Sequence, residues 1–375
     1  MGLIFLMESE HFTYKNYYDL YVDRLSKHFQ YEIWDCLLLN QSRLEKFDDI
    51  EVPNRIDEAV IISDIADLEK RIVEMETNPI IVTQYFTNKK IYETVKKHGG
   101  YVIEINKVSF HMDLRRRALK KFNTRTIARK LINSLKNLKN LKKSSNPYSI
   151  LVDYSLNPLK MAEVNVGEFI LMHHIKYDEF LQAKGEQPIL EKRYMVFIDI
   201  YLPYLSDVLH KGKSINPDKY YESLNSLFER IENKYGLEVV IAPHPKAIYD
   251  ETTFDGRKII FGKTANLICN SVGIITHDST SNITAVLARK PIIFVYSEEM
   301  LTTAASRFYY TTKEFSKMLN GPFVNLDKPT SVALDLDVNE KAYKSFEKKY
   351  VVNEEKEDKT NEQIITDFLR KLDAS

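Results

Sequence analysis

The 375-residue chain balances 53 Lys and Arg against 53 Asp and Glu, so its global charge points to no class of partner. With 44% hydrophobic and 28% charged residues it is a globular chain with material for two cores, not a disordered or fibrous one. Two cysteines, Cys36 and Cys269, cannot build a disulfide framework and fit a reducing cytoplasm, and no run of about 18 apolar residues marks a membrane span.

Gly2–Met7 reads as a first strand with Glu8 and Glu10 at its carboxyl end, followed by a helix from about Tyr14 to His28. Short apolar runs at Tyr31–Leu39, Glu58–Ile62, Pro79–Thr83 and Tyr101–Ile105 predict further strands, with helices over Asp64–Met75 and Lys89–His98 between them. The Gly99-Gly100 pair stops the second of these helices. Strands alternating with helices predict a doubly wound α/β domain.

Residues 113–143 break the charge balance. Five Arg and seven Lys face one acid, Asp113, a local charge of 12 − 1 = +11, with Ile127, Leu131, Leu135, Leu138 and Leu141 at helical spacing. A basic amphipathic helix suits an anionic membrane surface; it equally suits a solvated face packed through its leucines, or an anionic glycan. Aromatic residues do not interleave with the charges beyond Phe122, which argues against nucleic acid.

Ser149–Asp153 and Glu168–Met172 predict two more strands, the second ending at His173 and His174 with Asp178 beyond. Adjacent strand residues point to opposite faces, so the two histidines do not make a metal pair, and one is expected to line a cleft between domains. The Gly- and Pro-broken stretch Lys184–Lys192 reads as a linker, giving domains over 1–188 and 189–350 and a terminal helical segment over 351–375.

The second domain opens with the strand Met195–Ile200 and the helix Pro217–Tyr235. Strands are expected at Glu238–Ala242, Lys258–Phe261, Ser271–Thr276 and Pro291–Val295, with helices over Thr264–Asn270 and Asn282–Ala288. Valine- and isoleucine-rich runs of this kind belong to a parallel sheet covered on both faces, whose ligands lie beyond the carboxyl ends of the strands. Two loops at such ends carry the polar residues: His244, Pro245 and Lys246, then His277, Asp278, Ser279, Thr280, Ser281 and Asn282. Hydroxyls and backbone amides where a helix begins suit a phosphate; the plainer reading is a capped helix and a histidine fixed between two prolines.

Ala242-Pro-His-Pro-Lys246, Thr276-His-Asp-Ser-Thr-Ser-Asn282 and Ala285-Val-Leu-Ala-Arg-Lys-Pro-Ile-Ile-Phe294 resemble the C-terminal half of bacterial surface-carbohydrate glycosyltransferases of the GT-B type, in particular the CMP-sugar branch of sialyl- and Kdo transferases. The resemblance implies two Rossmann-like domains facing across a cleft, with an acceptor domain first and a donor domain second. It implies an inverting, metal-independent transfer of a CMP-linked nonulosonic or Kdo-type sugar onto a capsule, lipopolysaccharide or lipid-linked glycan, at the inner face of the cytoplasmic membrane. The phosphate would sit on His244, Pro245, Lys246, His277 and Ser279–Asn282, with His244 as catalytic donor; Asp199 and Tyr201 would face the cleft, and Ser297–Thr303 would close on the nucleotide. In this type the last helix, Asn361–Leu372, often returns to the first domain; packing on its own domain is the other course. Glu10 is the favoured catalytic base among Glu8, Glu10, Asp153 and Asp178, although the acidic Gly-containing signature of some sialyltransferases is missing. CDP-polyol phosphotransferases carry comparable elements, UDP-sugars are a third donor class, and a non-catalytic sugar-nucleotide or glycan-binding module is the reading from a different class.

Overall fold

The structure, a computed structural model, describes residues 2–44, 55–84, 86–106, 150–153, 168–209, 212–328 and 336–374. The basic segment 113–143 lies outside them. The chain divides into two units, and each is an α/β unit with an all-parallel sheet.

Unit 1 holds the described residues from 2 to 106, from 150 to 173 and from 353 to 374. Its seven strands are β1 (Gly2–Met7), β2 (Gln30–Asp35), β3 (Val60–Ile61), β4 (Ile80–Thr83), β5 (Tyr101–Asn106), β6 (Ile150–Asp153) and β7 (Glu168–Leu171), in the order β3-β2-β1-β4-β5-β6-β7. Strand order reverses between β1 and β4, the crevice where open parallel sheets receive ligands. The β1 run Leu3–Met7 is buried throughout because both faces are covered. On one face Ile4, Leu6, Ile81 and Val102 meet Leu68 and Ile72 of the helix Ile65–Glu74, and Ile91 and Val95 of the helix Lys89–Lys97. Each such side chain contributes about 1.5–3 kcal/mol through the water it leaves. Gly99 ends the second helix at φ 72°, and Gly100 must be glycine, since a Cβ there would lie 2.4 Å from the Pro79 carbonyl oxygen.

Two expectations here need correction. The helix expected over Tyr14–His28 is two pieces, Tyr14–Asp19 and Val22–Leu25, because Tyr21 takes a left-handed conformation with φ 62°. The strand expected over Tyr31–Leu39 stops at Asp35 and gives way to a 3-10 turn over Leu37–Leu39.

Unit 2 holds the described residues from His174 to Val352. Its strands are β8 (Tyr194–Ile198), β9 (Glu238–Ala242), β10 (Gly273–Thr276), β11 (Ile292–Tyr296) and β12 (Phe323–Asn325), in the order β12-β11-β10-β8-β9. The run Lys258–Phe261 is not a strand of this sheet; only an isolated bridge joins Ile259 to Ile241. The chain enters this unit ahead of the boundary expected after residue 188. The helix Lys176–Gly185 packs on the helices Thr264–Asn270 and Asn282–Leu287, and the Asn266 side-chain amide donates to Glu186 at 3.1 Å and to the Gln187 carbonyl at 3.0 Å.

Unit 2 has its own core on both faces of the sheet. Phe197, Leu224, Leu227, Phe228, Ile231 and Phe254 fill one side beneath the helix Pro217–Tyr235, whose C-terminus is closed by Gly236 at φ 61°. Val196, Leu267, Ile283, Phe294, Phe315 and Phe346 fill the other.

The terminal helix Asn361–Asp373 belongs to unit 1 and packs on the Val22–Leu25 helix. Asn361, fully buried, accepts from the His173 amide at 2.8 Å and donates to the Tyr21 hydroxyl at 3.0 Å.

Candidate functional site

The register of unit 2 sets three strand ends level. Ile198 of β8 pairs with Ala242 of β9 and with Thr276 of β10, so the loops that follow leave the sheet from one line. β8 stands between the other two, which are therefore not adjacent; at the usual strand spacing they are about 10 Å apart. Sequence runs from β8 to β9 on one side and then crosses to β10 on the other. The order reverses between β8 and β10, and the loops from Asp199 and from His277 flank that switch point.

The loop after β10 sorts its polar residues by depth. His277 was expected on the phosphate and is instead 0% exposed: Nε2 lies 2.6 Å from the Tyr220 hydroxyl and the ring stacks on Tyr220 with centroids 5.8 Å apart. Burial lowers its pKa to about 4, so the imidazole is neutral. The Val295 backbone opposes that shift in part, yet Nδ1 makes no well-formed hydrogen bond. Asn282 is also fully buried. It donates to the His277 carbonyl at 2.9 Å and accepts from the Thr276 hydroxyl at 2.9 Å, so it ties the loop to itself and is not free for a ligand.

Between these two anchors the hydroxyls remain. Ser279 Oγ accepts from the Ser281 amide at 3.3 Å. Thr280 is exposed and Ser281 half-buried, and neither hydroxyl has a partner among the described residues; Ser281 stands at the N-cap without using its side chain as a cap. The Asn282–Leu287 helix has only six residues, so donors on the loop matter more here than a helix dipole.

The loop after β9 sets His244 half-buried, with Pro245 and Lys246 exposed. Nδ1 of His244 accepts from the Lys246 amide at 3.2 Å, which places the proton on Nε2, and Nε2 has no partner among the described residues. Burial, and then the Lys246 charge, lowers its pKa. The shift favours the neutral ring, whose Nε2–H is a hydrogen-bond donor.

Asp199 and Tyr201, expected to face the cleft, hold the loops of unit 2 together. Asp199 is 2% exposed and accepts from the Tyr249 hydroxyl at 2.6 Å and the Tyr201 amide at 2.9 Å; burial raises its pKa to about 6 against the pull of these bonds. Tyr201, left-handed at φ 56°, donates its hydroxyl to the Ile248 carbonyl at 3.0 Å. The segment expected to close on a nucleotide is a 3-10 turn, Glu298–Leu301, held by Glu298 on Asn325 and Lys328.

His173 is fully buried in unit 1. Its Nδ1 accepts from the Asn353 amide at 3.0 Å, and Nε2 donates to the carbonyls of Lys359 at 2.9 Å and Lys356 at 3.0 Å. It fastens the C-terminal segment and has no capacity left for a ligand. His174 and Asp178, at 5% and 3% exposure, are buried in unit 2.

At the carboxyl edge of unit 1, Glu8 accepts from the Thr87 amide, the Thr87 hydroxyl at 2.9 Å and the Asn88 amide at 3.1 Å, which fixes the loop after β4. Glu10, half-buried, accepts from the Asn16 side-chain Nδ2 at 2.8 Å. The residue that sequence reasoning passed over is His11. Its Nδ1 donates to Asp35 Oδ2 at 2.9 Å, and Nε2 has no partner among the described residues. Asp35 is buried at the end of β2, beside Met7 in the β1 register, and also accepts from the amides of Phe12 and Leu37. A carboxylate that fixes the tautomer of a histidine leaves the far nitrogen ready to take a proton.

No protein-family model matches the chain, and no curated protein is similar to it in sequence. Solved structures are similar in fold. A variant of the wall teichoic acid polymerase TagF has a TM-score of 0.50 at 13% identity, over 99% of this chain and 88% of that one. The spinosyn forosaminyltransferase SpnP gives 0.45 at 10% over 100% of both chains, and Methanocaldococcus jannaschii UDP-GlcNAc 2-epimerase 0.43 at 12% over 92% and 97%. The chain has the two-domain α/β fold of the GT-B glycosyltransferases.

Proposed function

We propose that the protein is a GT-B glycosyltransferase that holds the phosphate of a nucleotide-sugar donor at the switch point of unit 2. The observation that carries this reading is the set of uncommitted donors on that edge: the hydroxyls of Thr280 and Ser281 and the Nε2–H of His244. As an acceptor hydroxyl attacks the anomeric carbon with inversion, the sugar–phosphate bond breaks and its electron pair passes to the phosphate oxygen. Preorganised donors aimed at that oxygen stabilise the charge. The acceptor proton needs a base, and His11, oriented by Asp35, is better set to take it than Glu10.

The donor is a CMP-linked nonulosonic or Kdo-type sugar in the first reading. Transfer of a polyol phosphate from a CDP-polyol is the second, since the same loop donors would serve any phosphate. The acceptor is a surface glycan or lipid-linked glycan, met at the cytoplasmic face of the membrane with 113–143 as the adhering segment. Among the described residues no helix is long and apolar enough to cross a membrane. The mechanism needs no metal, so EDTA leaves turnover intact; inhibition reversed by Mn²⁺ would sink that part.

Thermal-shift titration with CMP, CDP, UDP and GDP tests the donor. One nucleotide at a hundred times its dissociation constant stabilises by about 2.7 kcal/mol, and a flat response to all four returns the protein to the class of non-catalytic modules.

A further inference from the structure

At the carboxyl edge of unit 1 the loop after β1 is met by the chain around Arg55. Thr13 and Arg55 form an isolated antiparallel bridge, and the Ile56 amide donates to the Phe12 carbonyl at 3.1 Å. Ile56 and Phe12 are both buried, so this contact fixes the Arg55 backbone beside the loop that carries His11. Their side chains converge on one atom: Asp35 Oδ2 lies 2.9 Å from His11 Nδ1 and 3.5 Å from Nη2 of Arg55.

The plainest role for Arg55 is counter-ion to Asp35, and the distances make it a poor one. Asp35 already accepts from His11 and from the amides of Phe12 and Leu37 at 2.9–3.2 Å. Two of those donors sit on Oδ2, where an arginine nitrogen at 3.5 Å makes a loose ion pair and no well-formed hydrogen bond. Arg55 has no other partner among the described residues, and its side chain is 36% exposed. Most of a planar fork of five N–H donors is therefore uncommitted beside the free Nε2 of His11. That fork matches two oxygens of a carboxylate or a phosphate.

We propose that Arg55 determines acceptor specificity: it binds an anionic group, carboxylate or phosphate, of the saccharide whose hydroxyl gives its proton to His11. The acceptor is then an anionic saccharide and not a neutral one. This rests on the reading of His11 as the base.

The test is a titration of the full-length protein, at constant ionic strength, with glucuronate, glucose-6-phosphate and glucose. The readout is the nuclear magnetic resonance of isotope-labelled histidine rings, with His11 assigned by the signal lost in His11→Gln. Glucuronate, glucose-6-phosphate or both should shift the His11 signal to saturation, and glucose should not. Arg55→Gln should weaken that binding about tenfold, as for a lost charge-assisted pair, and Arg55→Lys about threefold, since it keeps the charge without the fork. Melting temperatures of both variants are the control for folding, and Arg55→Lys carries the test if Arg55→Gln unfolds. Equal shifts with glucose, the same shift with sodium chloride, no saturable shift, or unchanged affinity in the variants overturns the proposal. So does a loss of CMP affinity in Arg55→Gln, which would give the arginine to the donor. No nucleotide enters the titration, so failure of the donor reading shows separately, as a flat nucleotide thermal shift beside an intact Arg55-dependent response.

Discussion

The carboxyl edges of the two sheets spend their polar residues differently. In unit 1 the acids at the ends of β1 and β2 are given to the backbone: Glu8 holds Thr87 and Asn88, and Asp35 holds Phe12 and Leu37, leaving one oriented histidine. In unit 2 the anchors are a neutral histidine and an asparagine, and hydroxyls are left between them. The loop after β10 is fixed by neutral groups and keeps hydroxyls to spare, whereas the loop after β8 is fixed by an acid, Asp199, as the loops of unit 1 are.

The hardest way to break this comparison is to strip the donors. Thr280→Ala with Ser281→Ala, or His244→Ala alone, should lower kcat by about 10²–10³ with the melting temperature unchanged, as for lost oxyanion donors; turnover at the wild-type level would return these residues to a structural role.

Next comes the pH dependence of stability in unit 2. Asp199 titrates near 6 when folded against an ordinary 3.8, so the folded chain holds the extra proton and stability falls as pH rises through that window. His277 titrates near 4 against an ordinary 6.5, so the unfolded chain holds the proton and stability falls as pH drops through its own window. Each amounts to about 3 kcal/mol, and between pH 4 and 6 they oppose one another. Urea melts of the wild type should vary little there. Asp199→Asn should unmask the acid loss and His277→Gln the opposite slope; two flat single variants would refute both assignments.

On the other edge, His11→Ala should cost about 10² in kcat with nucleotide binding intact, as for a lost general base. Asp35→Asn should cost somewhat less, since an amide oxygen can still accept from His11 Nδ1. Smallest of all, Glu10→Gln should change kcat less than about threefold, because surface changes outside the chemistry are near neutral; a loss as large as that of His11→Ala would restore Glu10 as the base.

Much of this was legible in the sequence. The runs in β1, β4, β8, β9, β10 and β11 are apolar but for Thr83, Glu238 and Thr276 because both faces of each sheet are covered, and they read directly as parallel strands. Strand order was not legible, since nothing in Ala242 or Thr276 reveals that Ile198 stands between them. The sorting of His277 and Asn282 inward and Thr280 outward depends on how the chain turns after β10, which composition does not encode. The His11–Asp35 pair arises from the pairing of β1 with β2 across 24 residues. The helices Ser306–Leu319 and Glu340–Tyr350 and the strand β12 were missed altogether. Their buried positions, Phe308, Phe315 and Leu319 in one and Tyr343, Phe346 and Tyr350 in the other, do recur at helical spacing and were the available signal.

The course of the described chain makes unit 2 a single passage from His174 to Val352, entered and left beside the Asn353 amide that meets His173 at 3.0 Å. Excising that passage leaves two ends already touching, so a few glycines would seal unit 1, and each half becomes a separate reagent. Nucleotide and glycan titrations could then be run on each piece separately.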